Sequence, residues 1–314
     1  MENIDYLPSA TALELAHLPS SLLIMGGGYI GCELAQIFAR AGVAVTITCR
    51  HELLPEGEPE ISAALATVFR DEGINVITGA AYRSAAMVDA QVALEIEADG
   101  KRTLLADRLL LATGRSANVA HLNLAAAGVG TNENGGITID DRMRTSRPGV
   151  YAAGDVTGRD QFVYMAAYGG RIAASNALNG DSLVYDNSAM PAVTFSDPQV
   201  ATVGLTEREA RARGIDVKTS VLPLDAVPRA LAARDTRGLI KLVADAQSDK
   251  LIGAHIMAPE GGDSIQTAAL AIQQGMTTKA LAAMIFPYLT TVEGLKLAAQ
   301  TFDKDISKLS CCAG

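Results

Sequence analysis

Apolar residues in this chain fall into short blocks punctuated by glycine, and the block spacing predicts an ordered series of elements. Ser21–Met25 is a compact run of Leu and Ile that stops at Gly26-Gly27-Gly28. A helical pattern follows at once, with Ile30, Leu34, Ile37 and Phe38 spaced to share one face. Val43–Thr48 is short and β-branched, as a strand buried on both faces should be. A second helical stretch, from about Ile61 to Arg70, stops at Gly73, and a third strand-like run spans Ile74–Thr78. This β-α-β-α-β order implies a parallel sheet with right-handed crossovers. From Ala80 to Ala106 the period changes to two (Val92, Leu94, Ile96) around Asp99-Gly100, which predicts antiparallel strands and a hairpin. Leu109–Ala112 returns to a buried strand and ends at Thr113-Gly114-Arg115.

A second region, about Ser116–Tyr185, holds a Gly-rich turn at Asn134-Gly135-Gly136 and an apolar strand at Val150–Ala153. That strand ends in Gly154-Asp155, and a helical segment follows from about Phe162 to Leu178. From about Pro191 the pattern predicts strands at Gln199–Val203, Leu239–Ala244 and Leu251–Met257. Helical stretches come next, near Gly262–Gln274, Thr278–Met284 and Val292–Phe302. Two of them carry apolar residues, including Ile265, Ala269, Ile272, Leu295 and Phe302, that need a partner surface. The fold class is α/β.

Composition narrows the function classes. At 314 residues, 49% apolar and 19% charged, the chain is neither disordered nor short of a core. A formal net charge of -9 argues against a general nucleic-acid binder and against adhesion to anionic membrane. No apolar run approaches the roughly 20 residues of a membrane span. The start, MENIDYLPSA, is acidic where a signal peptide would be basic. Four cysteines do not form a secreted disulfide framework, so the expected compartment is the cytoplasm.

Gly26-Gly27-Gly28-Tyr29-Ile30-Gly31 matches G-x-G-x-x-G and lies between a predicted strand and a predicted helix. In that context the first glycine makes a tight turn and the second admits a pyrophosphate. The third lets helix and strand pack closely, and the helix N-terminus supplies N–H donors. An NAD site would place a carboxylate at the end of the second strand to bond the ribose 2′-hydroxyl. Here that strand ends Thr48-Cys49-Arg50-His51, which favours the 2′-phosphate of NADPH. A solvated basic pair is the structural alternative.

Together with Ala112-Thr113-Gly114-Arg115 and Tyr151-Ala152-Ala153-Gly154-Asp155, these features resemble the pyridine nucleotide–disulfide oxidoreductase family. The resemblance implies a Rossmann-type three-layer nucleotide domain, a partial FAD domain, and an α+β dimerisation domain. It implies that Thr113, Gly114 and Arg115 close the nucleotide domain and that Tyr29 covers the nicotinamide pocket. Glu33 joins the same cofactor-binding set. Gly154, Asp155 and Val163 fall to FAD, with Asp155 on the ribityl chain; the structural alternative for Asp155 is a helix N-cap. Thiol–disulfide members carry His-x-His-Pro-Thr near the C-terminus, whereas this chain has Phe286-Pro287-Tyr288-Leu289-Thr290-Thr291-Val292-Glu293. Only His17, His51, His121 and His255 exist, so the proton shuttle for a dithiol is missing. A tyrosine at Tyr288, with a reference pKa near about 10, serves instead as an oxygen ligand or hydrogen-bond donor.

Cys311-Cys312 is an adjacent thiol pair at the chain end, a soft-metal hand. With Phe286–Glu293 and the run Gly294–Phe302, it resembles the mercuric reductase branch of that family. This implies NADPH-dependent reduction of Hg(II) to Hg(0) through FAD in a homodimer, with Tyr288, Cys311 and Cys312 handling the metal. Two departures stand out. The nucleotide loop is Gly-rich where many members of the branch carry a Ser-Ser-Val-Val-type turn. The family also has another ~150 residues ahead of this start, a domain's worth. They hold a first dinucleotide motif and a Cys-x4-Cys redox pair, which Cys32 and Cys49 cannot replace.

The expectation is therefore a C-terminal portion of a longer enzyme, not active alone. Residues 1–20 are expected as a remnant of the FAD domain or linker, 21–115 as the NADPH-binding domain and 116–190 as the second FAD segment. Residues 191–300 are the expected dimerisation domain and 301–314 the tail. A dihydrolipoamide-dehydrogenase-like enzyme and a non-catalytic dimeric fragment that binds NADPH or mercury remain as alternatives.

The tail generates a test. Each thiol has an unperturbed pKa near about 8.5, but mercury is soft enough to displace the proton. The chain should take up about one Hg(II) at the pair. The double change Cys311→Ala and Cys312→Ala should abolish that uptake in a mercury titration, while Cys32 and Cys49 react slowly. A double variant that bound as fast and as tightly as the parent would make the pair incidental.

Overall fold

The computed structural model describes residues 4–306, so Cys311 and Cys312 lie outside the described residues. The chain divides into two compact units, Met1–Thr113 with Ser188–Gly314, and Gly114–Asn187.

The first unit begins with β1 (Tyr6–Pro8), α1 (Ser9–Ala12), β2 (Ser21–Met25), α2 (Tyr29–Arg40), β3 (Ala44–Thr48), α3 (Pro59–Asp71) and β4 (Asn75–Ile77). The antiparallel strands β5 (Ala81–Val88), β6 (Gln91–Glu97) and β7 (Lys101–Ala106) follow, and β8 (Arg108–Leu111) returns to the first sheet. That sheet has the order β1-β8-β2-β3-β4, parallel throughout, as the alternation of strands and helices requires. Alternate residues of β2 serve opposite layers. Leu22 and Ile24 join α2 and α3 in one core, whereas Leu23 and Met25 join the β5–β7 sheet in another. The nucleotide module is thus three layers, helix, parallel sheet and antiparallel sheet. Within residues 1–20, expected as a remnant or linker, Tyr6–Pro8 add an edge strand beside β8. A hairpin that the sequence did not announce joins β5 to β6 through Asp89 and Ala90, both at positive φ and without the usual glycine.

One helix face differs from expectation. Ile37 is 50% exposed, while Leu34 and Phe38 are buried. The buried arc is centred on Gly31, Ala35 and Phe38 because small residues bring α2 close to the sheet. Ile37 lies on the opposite side.

The second unit, taken by itself, contains α4 (Leu124–Ala127) and α5 (Val163–Asn179). The expected strand Val150–Ala153 is not formed; Tyr151 makes only an isolated bridge to Arg144. No strand of this unit among the described residues runs alongside to complete a ladder. Buried Asn176 replaces regular structure as an organiser. Its amide donates to the Arg142 and Leu183 carbonyls at 3.0 and 2.8 Å and accepts from the Leu183 N–H at 2.9 Å.

The first unit resumes with β9 (Pro191–Thr194), β10 (Gln199–Gly204), α6 (Glu207–Ala212), β11 (Val217–Pro223), α7 (Pro228–Ala233), β12 (Leu239–Asp245) and β13 (Leu251–Ala258). Then come α8 (Gly261–Gln273), α9 (Thr278–Ala283) and α10 (Glu293–Gln300). The strands form an antiparallel sheet of order β11-β12-β13-β10-β9. Ile265, Ala269 and Leu295, expected to need a partner, are buried against this sheet, with Ile272 and Phe302 packed at its edge. Their apolar face is satisfied within the chain. Exposed large apolar residues here are instead Phe195, Leu270, Ile285 and Tyr288.

The β9–β13 sheet is tied to the nucleotide module by charge. Lys241, on β12 and 1% exposed, donates to Glu58, Glu60 and Glu207 at 2.8, 2.8 and 3.0 Å. Glu58 is as buried as the lysine, whereas Glu60 and Glu207 reach water, so the dry part of the cluster is one cation with one anion. Burial alone would pull the lysine pKa down; the three carboxylates outweigh it and hold the group well above its usual range. Among the described residues, no helix is long and apolar enough to cross a membrane.

The reassigned helix face is testable. Phe38→Ala should cost about 3–5 kcal/mol of unfolding free energy, and Ile37→Ala should stay within about 0.5 kcal/mol. Denaturant titrations giving comparable losses for both would restore the face read from the sequence.

Candidate dinucleotide site

The glycine loop joins β2 to α2, and each of its glycines meets a different constraint. Gly26 has φ +111°, and a Cβ there would lie 2.2 Å from the Ala112 carbonyl oxygen at the end of β8. Its N–H donates to the Thr48 carbonyl at 2.8 Å, which fastens the loop to the end of β3. A Cβ on Gly31 would lie 2.0 Å from the Gly26 carbonyl oxygen, so the first turn of α2 rests directly on the loop. Gly28 is the helix N-cap, with φ -79°, and a Cβ there would meet nothing within 4 Å. Two fingerprint glycines thus serve internal packing and the middle one faces open space. No side chain caps α2, so amide donors and the positive end of a 12-residue helix border that space. The geometry fits a dinucleotide pyrophosphate.

Gly27 has a role that motif reasoning missed. A Cβ there would lie 3.0 Å from both Cβ and Sγ of Cys49. Cys49 stands at the strand end where a carboxylate would read a ribose hydroxyl. Its thiol donates to the His51 carbonyl at 2.8 Å, and burial pushes its pKa up to about 11. Cys32 donates to the Gly27 carbonyl at 3.4 Å, and burial raises its pKa further still. Both thiols are packing groups and poor nucleophiles.

Arg50 and His51 are exposed at the end of β3. The Arg50 guanidinium lies 5.7 Å from the centre of the Tyr82 ring, whose hydroxyl donates to the Thr48 carbonyl at 2.7 Å. Tyr29 borders a cavity of about 320 Å³ also lined by Leu54, Ile61, Ala192, Val200 and His255. Burial first, and then the charge of Glu56, raises the Tyr29 pKa. Glu33 accepts from the Phe195 N–H at 2.8 Å, so this carboxylate also holds the end of β9 to α2. Thr113 follows β8 and ends the first segment of the first unit.

In the second unit Gly114 has φ +134°, and Arg115 pairs with Asp155 at 2.9 Å. Asp155 opens a short 3₁₀ turn, and the N-cap of α5 is Phe162, so Asp155 does not cap that helix. A Cβ on Gly154 would lie 3.0 Å from that of Ala166, which explains glycine there through packing on α5. Val163 is the first residue of α5 and 84% exposed.

Tyr288 is exposed in the segment before α10, where Leu289 donates to Glu293 at 3.3 Å. Its expected partners Cys311 and Cys312 lie outside the described residues. Among the described residues no group of three or more His, Cys, Asp or Glu side chains is placed to hold a metal ion. Sequence reasoning also passed over Lys241, Glu58 and His255. The available signal was Lys241 itself, a charge inside the apolar run Leu239–Ala244 that demands a buried partner.

This loop, sheet and helix arrangement defines a dinucleotide-binding fold, and comparison with known proteins gives the family. Residues 1–170 match the pyridine nucleotide-disulphide oxidoreductase model, and residues 190–299 match that family's dimerisation domain. The chain belongs to the pyridine nucleotide-disulphide oxidoreductase family. Over its whole length it is 49% identical to a mercuric reductase of Bacillus cereus and 50% identical to one of Lysinibacillus sphaericus. A mercuric reductase of Streptomyces lividans is 47% identical, again over 100% of this chain. The chain spans 50%, 58% and 66% of those three relatives. Among solved structures, the HOCl-induced flavoprotein disulfide reductase RclA of Escherichia coli aligns at TM-score 0.84 and 32% identity, over 94% of this chain and 68% of its own. LpdA of Mycobacterium tuberculosis aligns at TM-score 0.84 and 27% identity, over 94% and 64%.

The glycines separate fold from binding. Gly31→Ala should lower the unfolding midpoint markedly, because backbone rather than a flexible side chain blocks the methyl. Gly28→Ala should leave the midpoint unchanged and, for a dinucleotide whose pyrophosphate sits at the helix N-terminus, weaken its binding about tenfold by narrowing the approach. Unchanged affinity in Gly28→Ala, by titration calorimetry, would move the pyrophosphate site elsewhere.

Proposed function

We propose that this chain is the nucleotide-binding and dimerisation portion of a mercuric reductase, which uses NADPH and FAD to reduce Hg(II) to Hg(0) as a cytoplasmic homodimer. The observation that carries the reading is 47–50% identity to mercuric reductases along the entire chain. Absence of a histidine in Phe286–Glu293 disfavours the dihydrolipoamide-dehydrogenase alternative, which needs a proton shuttle at that place.

In this reading Gly28 and the first turn of α2 hold the pyrophosphate of NADPH, and Arg50 and His51 bind its 2′-phosphate. Gly26 and Gly31 keep the loop closed beneath them. Tyr29 screens the nicotinamide pocket, Glu33 belongs to the same cofactor-binding set, and Thr113, Gly114 and Arg115 close the nucleotide domain. Gly154, Asp155 and Val163 form this chain's share of the flavin site, where Asp155 accepts from a sugar hydroxyl. Bound FAD supplies the two-electron acceptor for the nicotinamide hydride. Tyr288 offers a phenol oxygen to the metal, and Cys311 and Cys312 capture Hg(II) and hand it on by ligand exchange. The four cysteines include no Cys-x4-Cys pair, so the chain alone captures mercury without reducing it.

NADPH is expected to bind at least about tenfold more tightly than NADH, since charge-assisted contacts to a phosphate contribute about 1.5–3 kcal/mol. Arg50→Glu should erase or invert that preference in titration calorimetry. With NADPH, added FAD and Hg(II), the chain should release no mercury vapour. Equal affinities would remove NADPH from the reading, vapour would show that the chain turns over alone, and failure to take up mercury would exclude a role in handling the metal.

A further inference from the structure

We propose that Lys241, on the second sheet of the first unit, is a positioning residue for the nucleotide site: through Glu58 it fixes the loop that carries Arg50 and His51, and so sets the choice between NADPH and NADH. The proposal rests on the NADPH reading above.

The segment from Arg50 to Glu58 connects β3 to α3 and, besides the Arg50–Tyr82 contact and an exposed Arg208–Glu56 ion pair, is held at three points. At its middle, Leu54 donates to the Gly27 carbonyl at 2.7 Å, which lays the segment over the glycine loop. Next to it, the Pro55 carbonyl accepts from Arg208 at 3.3 Å, an exposed contact of the kind that contributes little. At its end, Glu58 is gripped from both sides. One oxygen accepts from Lys241 at 2.8 Å and the other from the Glu207 N–H at 2.6 Å. Of these tethers only the last joins buried charges.

A second feature shows that the segment is held in shape. Leu54 has φ +49°, in the left-handed region that a branched side chain rarely adopts, and Leu53 and Leu54 are both buried. Such a conformation persists only where the surroundings over-determine it, and it is concentrated at functional sites. Beneath Glu58 lies His255, whose Nε2 is 3.7 Å from the carboxylate and 3.2 Å from the Leu205 carbonyl. Burial lowers the pKa of that imidazole, which leaves Lys241 as the full positive charge on Glu58.

Without the Lys241 ammonium, the Glu58 carboxylate keeps the Glu207 N–H but loses its buried cation, which loosens the end of the segment that leads back to Arg50. The pyrophosphate contact depends less on this tether, because besides the Leu54–Gly27 bond the glycine loop has anchors of its own, Gly26 on Thr48 and Gly31 packed against the loop. The two contacts separate in the cofactor comparison. NADPH uses both, NADH only the pyrophosphate contact.

The experiment is calorimetric titration of the full chain with NADPH and with NADH, for the parent, Lys241→Met, Lys241→Arg and Glu58→Gln. Lys241→Met should bring the two affinities to within about twofold by weakening NADPH, with NADH changed less than about threefold. Lys241→Arg should retain the preference. Glu58→Gln keeps the side-chain volume and the Glu207 contact, so it carries the test if Lys241→Met does not fold; it too should lose the preference. A parent preference retained in Lys241→Met, or in Glu58→Gln where that variant carries the test, overturns the proposal alone. Equal weakening of both cofactors also overturns it, since that marks a merely structural role. Equal affinities in the parent overturn the NADPH reading and this proposal with it.

Discussion

Two strand ends and one helix converge on Gly26 with no room for a side chain. The end of β8 and the first turn of α2 approach the loop so closely that a methyl group at Gly26 or Gly31 would overlap backbone oxygen. From this constraint follow the seating of α2 on Ala35 and Phe38, the exposure of Ile37, and the emergence of the helix N-terminus beside the one glycine that faces open space. The site is a consequence of how the backbone packs, and its electrostatics follow from the direction in which the helix then points.

A different kind of constraint joins the nucleotide module to the antiparallel sheet of the same unit. Removing one partner of a buried ion pair costs about 3–5 kcal/mol, largely because the other charge is left unpaired in a dry site. Glu58 and Lys241 form such a pair, and the more exposed Glu60 and Glu207 place their excess negative charge toward water. That arrangement lets one lysine carry three carboxylates without burying net charge. The geometry needed for it also gives the loop after β3 a fixed end. The thiols Cys32 and Cys49 lie in the same module yet behave oppositely: burial makes them neutral fillers around Gly27.

Chemistry is distributed unevenly along the chain. The family match and the glycine loop account for pyridine-nucleotide recognition, and the dimerisation match accounts for the second sheet and its helices. The chain spans between half and two thirds of the mercuric reductase relatives, and it carries only one dinucleotide fingerprint and no Cys-x4-Cys pair.

The parallel order of the first sheet, the β5–β7 insertion and the helices α2, α3 and α8 were legible in the sequence, because each depends on local period and on glycines at element ends. The dinucleotide loop was legible for the same reason: a strand, three spaced glycines and a helix specify their own geometry. The short strand β1 and the mixed-polarity β11 were not, since a strand's pairing partner is distant in sequence. Val150–Ala153 reads as a strand but finds no neighbour to complete one in its unit. The apolar residues of α8 and α10 announced a need for burial without saying whether the cover would come from the same chain; the second sheet supplied it. Gly27 against Cys49, Glu33 on Phe195, and Lys241 on Glu58 are contacts between residues from 22 to 183 positions apart. No local pattern encodes such pairs. Hydrophobic period and turn chemistry are properties of neighbours along the chain, whereas a buried charge acquires its partner only when β12 and the start of α3 are brought together.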